Sequence, residues 1–307
     1  MEKEEAVLVT GSSSWLGRSL VQELRQQGLS VVALYRNCLP EPQERVYPVW
    51  CDLVNPKLIP AALRGVETVF HLAWEGGVGD DVEAVNLKSL KNLIRGMEIE
   101  KIPHLVFVSA LGSSRKSNGA FLRQKYEAEK LVLNSKVSKI TIWKPAPLFG
   151  GVAVSDRLLR GLYNATRMPL LHPENQKGKI SPLSKSDFLG MMIAQYRTQS
   201  SSVEIINVKG PEDFDVGEIL YEVALRTRKG MSLGLKGPFG ALLLRFLERD
   251  PRYTGRKLSD YSNIISNESN GYETVLGKES LKQLLQTVSV KSLETPEVIQ
   301  SVSKAES

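Results

Sequence analysis

The sequence predicts an α/β protein built on a doubly wound parallel sheet, with a smaller C-terminal lobe. Three observations predict it. Short apolar runs with few charges alternate with helix-patterned segments up to Pro145, as expected for strands covered on both faces. A glycine-bearing turn, Gly11 to Gly17, separates the first run from the first helical pattern. The chain has 307 residues, 42% hydrophobic and 24% charged, enough to bury a sizeable core in one large domain or two modest ones.

The elements follow in order. AVLVTG (6–11) reads as a buried strand ending in glycine. Leu16, Leu20, Val21 and Leu24 then recur at helical spacing up to Gly28. SVVALYR (30–36) and RVYPVWCDL (45–53) are the second and third strands, and a short helical piece (56–64) leads to ETVFHLAW (67–74), the fourth. A longer helix over 82–98 precedes HLVFVSA (104–110), and a Gly, Ser and Asn loop (112–119) opens a helix from Ala120 to Asn134. ITIWKP (140–145) closes the alternating half. Right-handed crossovers make this a doubly wound sheet. Gly150–Gly151 marks a break, after which short helices mix with isolated strands such as VEIINVKG (203–210). GALLLRFLER (240–249) is amphipathic and suits a helix closing a pocket or docking on a membrane, and LGKESLKQLLQ (276–286) is another short helix. The expected organisation is a dinucleotide-binding domain over 1–150, a lobe over 151–290 interleaved with the sheet, and a disordered, Ser/Glu/Lys-rich tail over 291–307.

Composition excludes several classes. Two cysteines, Cys38 and Cys51, make no disulfide framework, and three scattered histidines argue against a metal site. No apolar run approaches the roughly 18 residues of a membrane span. The charged start, MEKEEAVLVTG, enters a strand directly, so the expectation is no secretory signal and a cytoplasmic protein. The net charge of +6 is concentrated. Nine Lys or Arg between Arg226 and Lys257 face only Glu248 and Asp250. That window is either a patch for an anionic ligand or a solvated basic face. No nucleic-acid motif accompanies it.

The strongest motif is Thr10-Gly11-Ser12-Ser13-Ser14-Trp15-Leu16-Gly17. A strand-to-helix turn of this kind aims backbone N–H groups and the positive helix end at a pyrophosphate. Gly11 serves the tight turn and Gly17 the close helix–strand approach, while Ser14 stands where a middle glycine is usual. Arg36 ends the second strand, where an acidic residue would bind the ribose of NAD. It either receives a 2′-phosphate, which favours NADP with NAD as the alternative, or is an exposed strand-end arginine. Asp52 and Leu53 follow the third strand, placed to meet an adenine amino group and ring.

These residues together resemble the extended short-chain dehydrogenase/reductases, in particular the branch of nucleotide-sugar epimerases and 4-keto-sugar reductases. The resemblance is carried by VTGSSSWLG (9–17), CDL (51–53), VFHLAW (69–74), VNLKSLKNL (85–93), VFVSA (106–110), FLRQKYEAEKLV (121–132), WKPAPLFG (143–150) and the serine-containing stretch ending at Asp187. It implies a Rossmann-type domain and a cofactor path. Gly11, Ser12, Ser13, Ser14, Trp15, Leu16 and Gly17 would hold the pyrophosphate, and Asp52 and Leu53 the adenine. Leu72, Ala73 and Trp74 would line the cofactor, Trp74 being bulky for that place. Ser109, Lys125, Pro145 and Leu148 would flank the nicotinamide end. It also implies a small carbonyl substrate, such as a nucleotide sugar, and a homodimer joined through helices 82–98 and 120–134.

The family's catalytic Tyr-x-x-x-Lys pair shares one helix face, and the ammonium lowers the phenol's pKa. Two registers compete here. Phe121-x-x-x-Lys125 keeps the family's continuation into Ala128-Glu129 but has no phenol, whereas Tyr126-x-x-x-Lys130 satisfies the bare motif five residues later. At 100° per residue the two pairs face directions about 140° apart, and the first register fits the distance to Lys144-Pro145 better. Ala110-Leu111 follows Ser109 where another Ser or Thr is frequent, leaving Ser113 and Ser114 as substitutes. The reading is therefore an NADP-dependent oxidoreductase or epimerase with an atypical site. The alternatives are a redox-inert NADP-binding protein and a non-redox enzyme using the same pocket. His71 and His104 read as core histidines and His172 as a surface-loop residue. Asp80-Asp81 reads as a helix start, and Lys144 as a pocket-wall or salt-bridged lysine.

Overall fold

The computed structural model describes residues 6–39, 43–75, 80–117, 119–150, 171–173, 179–198, 201–215, 233–235 and 274–287. Eight strands form the central sheet: β1 (Ala6–Thr10), β2 (Ser30–Tyr35), β3 (Val46–Trp50), β4 (Val66–His71), β5 (His104–Val108), β6 (Lys139–Pro145), β7 (Val203–Lys209) and β8 (Thr274–Leu276). Their order is β8-β7-β6-β5-β4-β1-β2-β3, and every neighbouring pair is parallel. The strand order reverses between β1 and β4, which opens a crevice at their carboxyl ends. The helices among the described residues are α1 (Trp15–Gln26), α2 (Ile59–Leu63), α3 (Asp80–Glu100), α4 (Ala120–Leu133), α5 (Lys185–Thr198) and α6 (Leu281–Thr287).

Side chains alternate between two buried layers, as they must in a sheet covered on both faces. Val7, Val9, Val31, Phe70, Val106 and Trp143 face one layer, closed by Leu20 and Leu24 of α1 and by Phe188 and Met192 of α5. Leu8, Val69, Leu105, Phe107, Ile140 and Ile142 face the other, closed by Leu63 of α2, Leu90, Leu93 and Met97 of α3, and Ala128 and Val132 of α4. Burial at positions 90, 93, 94 and 97 follows the helical period that the sequence shows.

Several expectations shift. VEIINVKG is not isolated, because β7 pairs with β6 from Val203↔Ile140 to Val208↔Pro145. The run 276–286 is not one helix. Leu276 ends β8, Gly277 lies against Leu183 and Asp187, and α6 begins at Leu281. Asp187 fixes this junction by accepting the Lys278 and Glu279 amides at 2.6 and 2.7 Å. α3 begins at Asp80, so the Asp80-Asp81 pair opens a helix, where anions are favoured. Of the basic window 226–257 only Leu233–Leu235 is described, a strand paired in parallel with Leu171–Pro173, and the segment 240–249 and the tail 291–307 lie outside the described residues.

The turn between β1 and α1 fixes the crevice. Gly11 has φ +68°, and a Cβ there would sit 2.9 Å from the Ala73 amide nitrogen. A Cβ on Gly17 would run into the Gly11 carbonyl. Gly17→Ala is therefore expected to destabilise the fold by about 3 kcal/mol, read as a lowered urea midpoint. Gly28→Ala, whose Cβ would meet nothing within 4 Å, should cost less despite its φ of +81°.

Candidate functional site

A cavity of about 430 Å³ lies along the carboxyl ends of β1, β2, β4, β5 and β6. Of the residues singled out from sequence, Gly11, Ser13, Ser14, Trp15, Leu16, Arg36, Asp52, Leu53, Leu72, Ala73, Trp74, Ser109, Phe121, Lys125, Pro145 and Leu148 line it. Ser12, Gly17 and Tyr126 do not line it. Ser12 turns its hydroxyl into the sheet and donates to the Leu34 carbonyl at 2.6 Å. Gly17 lies behind the turn, against Gly11. Tyr126 has Lys130 over its ring at 5.4 Å, and Lys130 pairs with Glu127 on the exposed side of α4.

Ser14 shows why a side chain is tolerated in place of the middle glycine. It is the N-cap of α1, in extended conformation (φ −72°, ψ 162°), and its hydroxyl accepts the Gly17 amide at 3.0 Å. The side chain thus folds back over the helix end. Trp15 and Leu16, whose first-turn amides have no acceptor within a helix, line the cavity. At the end of β1, the Thr10 hydroxyl accepts the Leu72 and Ala73 amides at 3.2 and 3.1 Å and bonds His71 Nδ1 at 2.9 Å. With its lone pairs so used, Thr10 gives its proton to Nδ1, and the network puts the ring proton of His71 on Nε2. Nε2 has no partner among the described residues. His71 is stacked on Phe107, and burial, with the Lys125 charge adding to it, lowers its pKa to about 3.

At one end of the cavity, Asp52 Oδ1 accepts the Val54 amide at 3.0 Å, and Asn92 of α3 donates to the Leu53 and Val54 carbonyls. The loop carrying Asp52 and Leu53 is fixed by these bonds. Cys51 beside them is buried, and its thiol pKa is pushed up to about 11 by burial and by Asp52, so it is held as an unreactive thiol. Arg36 forms an ion pair with Glu75 across the rim.

At the other end Lys125, buried on α4, donates to the Val108 carbonyl at 2.8 Å. Its ammonium lies 3.8 Å from the centre of the Trp74 ring, 5.0 Å from Phe107 and 5.9 Å from Phe121. A cation over aromatic faces is electrostatically favoured there, which gives the bulky Trp74 a physical reason. One turn further along α4, Glu129 is buried. Its Oε1 accepts from both Ser109 and Ser113, and its Oε2 takes the Lys144 ammonium at 3.0 Å. The Ser109 hydroxyl is therefore committed to Glu129. Ser113 does not reach the cavity, and Lys144 is a buried, salt-bridged lysine rather than a pocket-wall donor. His104 is structural, bonded to Thr141 and stacked on Tyr196.

Sequence reasoning missed Glu75, Asn86 and Glu129. For Glu129 the signal was present: it follows Lys125 at i+4 and so shares its helix face.

A family profile described as NAD(P)H-binding matches residues 11–149. Over that stretch the chain is similar to NAD(P)H-binding domains, and its sheet has the Rossmann-type order. The chain is 28% identical over 207 residues to 2-alkyl-3-oxoalkanoate reductase of Shewanella oneidensis, covering 61% of this chain and 53% of that protein. It is 24% identical over 299 residues to NADH dehydrogenase (ubiquinone) 1 alpha subcomplex subunit 9, mitochondrial, of Dictyostelium discoideum, covering 90% and 79%. The chain spans about half the length of the first curated relatives it matches. Among solved structures, MoeE5 in complex with UDP-glucuronic acid and NAD shares the fold at a TM-score of 0.67 and 18% identity, over 94% of this chain and 98% of that one. No helix among the described residues is long and apolar enough to cross a membrane.

Two measurements test the site's electrostatics. Glu129→Gln leaves Lys144 buried without its counter-charge and should cost about 3 kcal/mol. Glu129→Gln combined with Lys144→Met should recover much of that loss in urea denaturation. His71 is neutral when folded and titrates near 6.5 when unfolded, so its contribution is complete above pH 6.5 and is lost as pH falls towards about 3. The slope expected from this group approaches about 1.4 kcal/mol per pH unit. Denaturation of His71→Gln across pH 7.5 to 5 should show a flatter dependence than wild type.

Proposed function

We propose that this chain binds NADP(H) in the cavity and acts as an oxidoreductase or epimerase on a small carbonyl compound, with nucleotide sugars as the favoured class. The observation that carries the reading is the continuous lining from Arg36 and Asp52, past the first turn of α1, to Lys125. The fit is physical: Gly11 leaves no room for a side chain above Ala73, and the first turn of α1, where unsatisfied amides suit a pyrophosphate, lines the cavity. When bound, the nicotinamide would supply or accept a hydride.

The remaining roles belong to the chain. Asp52 and Leu53 would hold the adenine, and Arg36 a 2′-phosphate. Phe121 has the shape of the missing tyrosine but no proton to give. Lys125 is the one ionisable group among the described lining residues of the nicotinamide end, so a proton moved there would be held at its Nζ. The substrate would enter beneath the second lobe, and a cytoplasmic homodimer joined through α3 and α4 completes the proposal.

A second reading is a resident-cofactor protein that does no redox chemistry. It is favoured by the engagement of Lys125 with the Val108 carbonyl and the Trp74 ring. The name of the Dictyostelium relative, subunit 9 of an alpha subcomplex, points the same way.

Calorimetric titration with NADPH and NADH, followed by NADPH oxidation against a carbonyl panel that includes 4-keto nucleotide sugars, separates these readings. The oxidoreductase reading expects NADPH binding, turnover, and a rate raised about 100-fold in Phe121→Tyr. Binding without turnover in both proteins would favour the resident-cofactor reading. No binding of either dinucleotide would overturn both.

A further inference from the structure

We propose that Glu75 sets how strongly this chain prefers NADPH over NADH, by occupying Arg36 as a carboxylate stand-in for the 2′-phosphate. The inference rests on the dinucleotide reading above. Arg36 follows β2 and Glu75 follows β4, and β1 lies between those strands. Their ion pair therefore reaches across the end of β1, over the turn at Gly11, and both residues line the same end of the cavity.

The two arms are anchored at the backbone and loose at the tip. Asn86, buried on α3, clasps Glu75 from both sides: its Oδ1 accepts the Glu75 amide at 2.7 Å, and its Nδ2 donates to the Glu75 carbonyl at 3.3 Å. The Trp50 indole N–H donates to the Arg36 carbonyl at 3.0 Å. The side chains themselves are 44% and 42% exposed. An exposed pair of this kind is weak, so a ligand of higher charge can exchange for one member while both backbones stay in place.

The exchange is selective by charge. A phosphate carries more negative charge than one carboxylate and offers guanidinium a bidentate partner. It displaces Glu75 from Arg36. A ribose with a free 2′-hydroxyl brings no charge to the contest and leaves the pair closed. The carboxylate that holds Arg36 then remains beside the incoming phosphate and opposes it, so Glu75 limits the NADPH preference that Arg36 confers.

Titrations of wild type, Glu75→Gln and Arg36→Met with NADPH, NADH, adenosine 2′,5′-bisphosphate and ADP test this. The two adenosine fragments report the adenosine end without the nicotinamide end or turnover. In Glu75→Gln, NADPH and the bisphosphate should tighten roughly fivefold, with NADH and ADP changed less than about twofold. In Arg36→Met, NADPH and the bisphosphate should weaken at least about tenfold, with NADH unchanged. An unaltered NADPH-to-NADH ratio in Glu75→Gln, or equal tightening of both, overturns this inference while leaving the dinucleotide reading intact. Failure of wild type to bind any of the four ligands overturns that reading, and this inference with it.

Discussion

The site depends on one close approach, that of the β1–α1 turn to the end of β4. Gly17 sits against the Gly11 carbonyl, and Gly11 sits against the backbone of Leu72 and Ala73. The Thr10 hydroxyl completes the seam by bonding two β4-end amides and the His71 ring. Side chains at either glycine would push α1 away from the sheet. The helix end, with its unsatisfied amides and partial positive charge, would then no longer face the crevice at the switch in strand order. Arg36 after β2, Asp52 after β3 and Lys125 of α4 all line the crevice that this seam shapes.

The opposite end of the cavity is held by buried charge. Lys144 and Glu129 would each be costly alone in the core, and their pairing with two serine hydroxyls satisfies both carboxylate oxygens. The same contact binds the loop after β5, the end of β6 and the middle of α4 into one unit. It also removes the Ser109 hydroxyl from the cavity. With Phe121 on the same helix face, this end holds the Lys125 ammonium over aromatic rings.

The architecture was legible because parallel strands buried on both faces leave long uncharged runs, and because helical spacing at Leu16 to Leu24 and at Leu90 to Met97 is unbroken. The turn between β1 and α1 was legible because only glycine fits at Gly11 and Gly17. The pairing of 203–209 with β6 was not legible, since nothing local to a strand names its neighbour. The commitments of Ser109, Arg36 and Lys144 were hidden for the same reason: their partners Glu129 and Glu75 lie 15 to 39 residues away. Tyr126 looked plausible as a motif, and only the direction of its helix face turned it from the cavity. Ser12 and Ser13 are equivalent as letters, yet in the turn Ser12 donates to the Leu34 carbonyl and Ser13 lines the cavity.

A crystal structure of the protein grown with saturating NADPH tests the central claim most directly. Density for the pyrophosphate against the amides of Trp15 and Leu16, with the adenosine beside Asp52 and the nicotinamide towards Lys125, is the predicted result. Density placed elsewhere, or an unchanged cavity at saturating NADPH, would contradict the account.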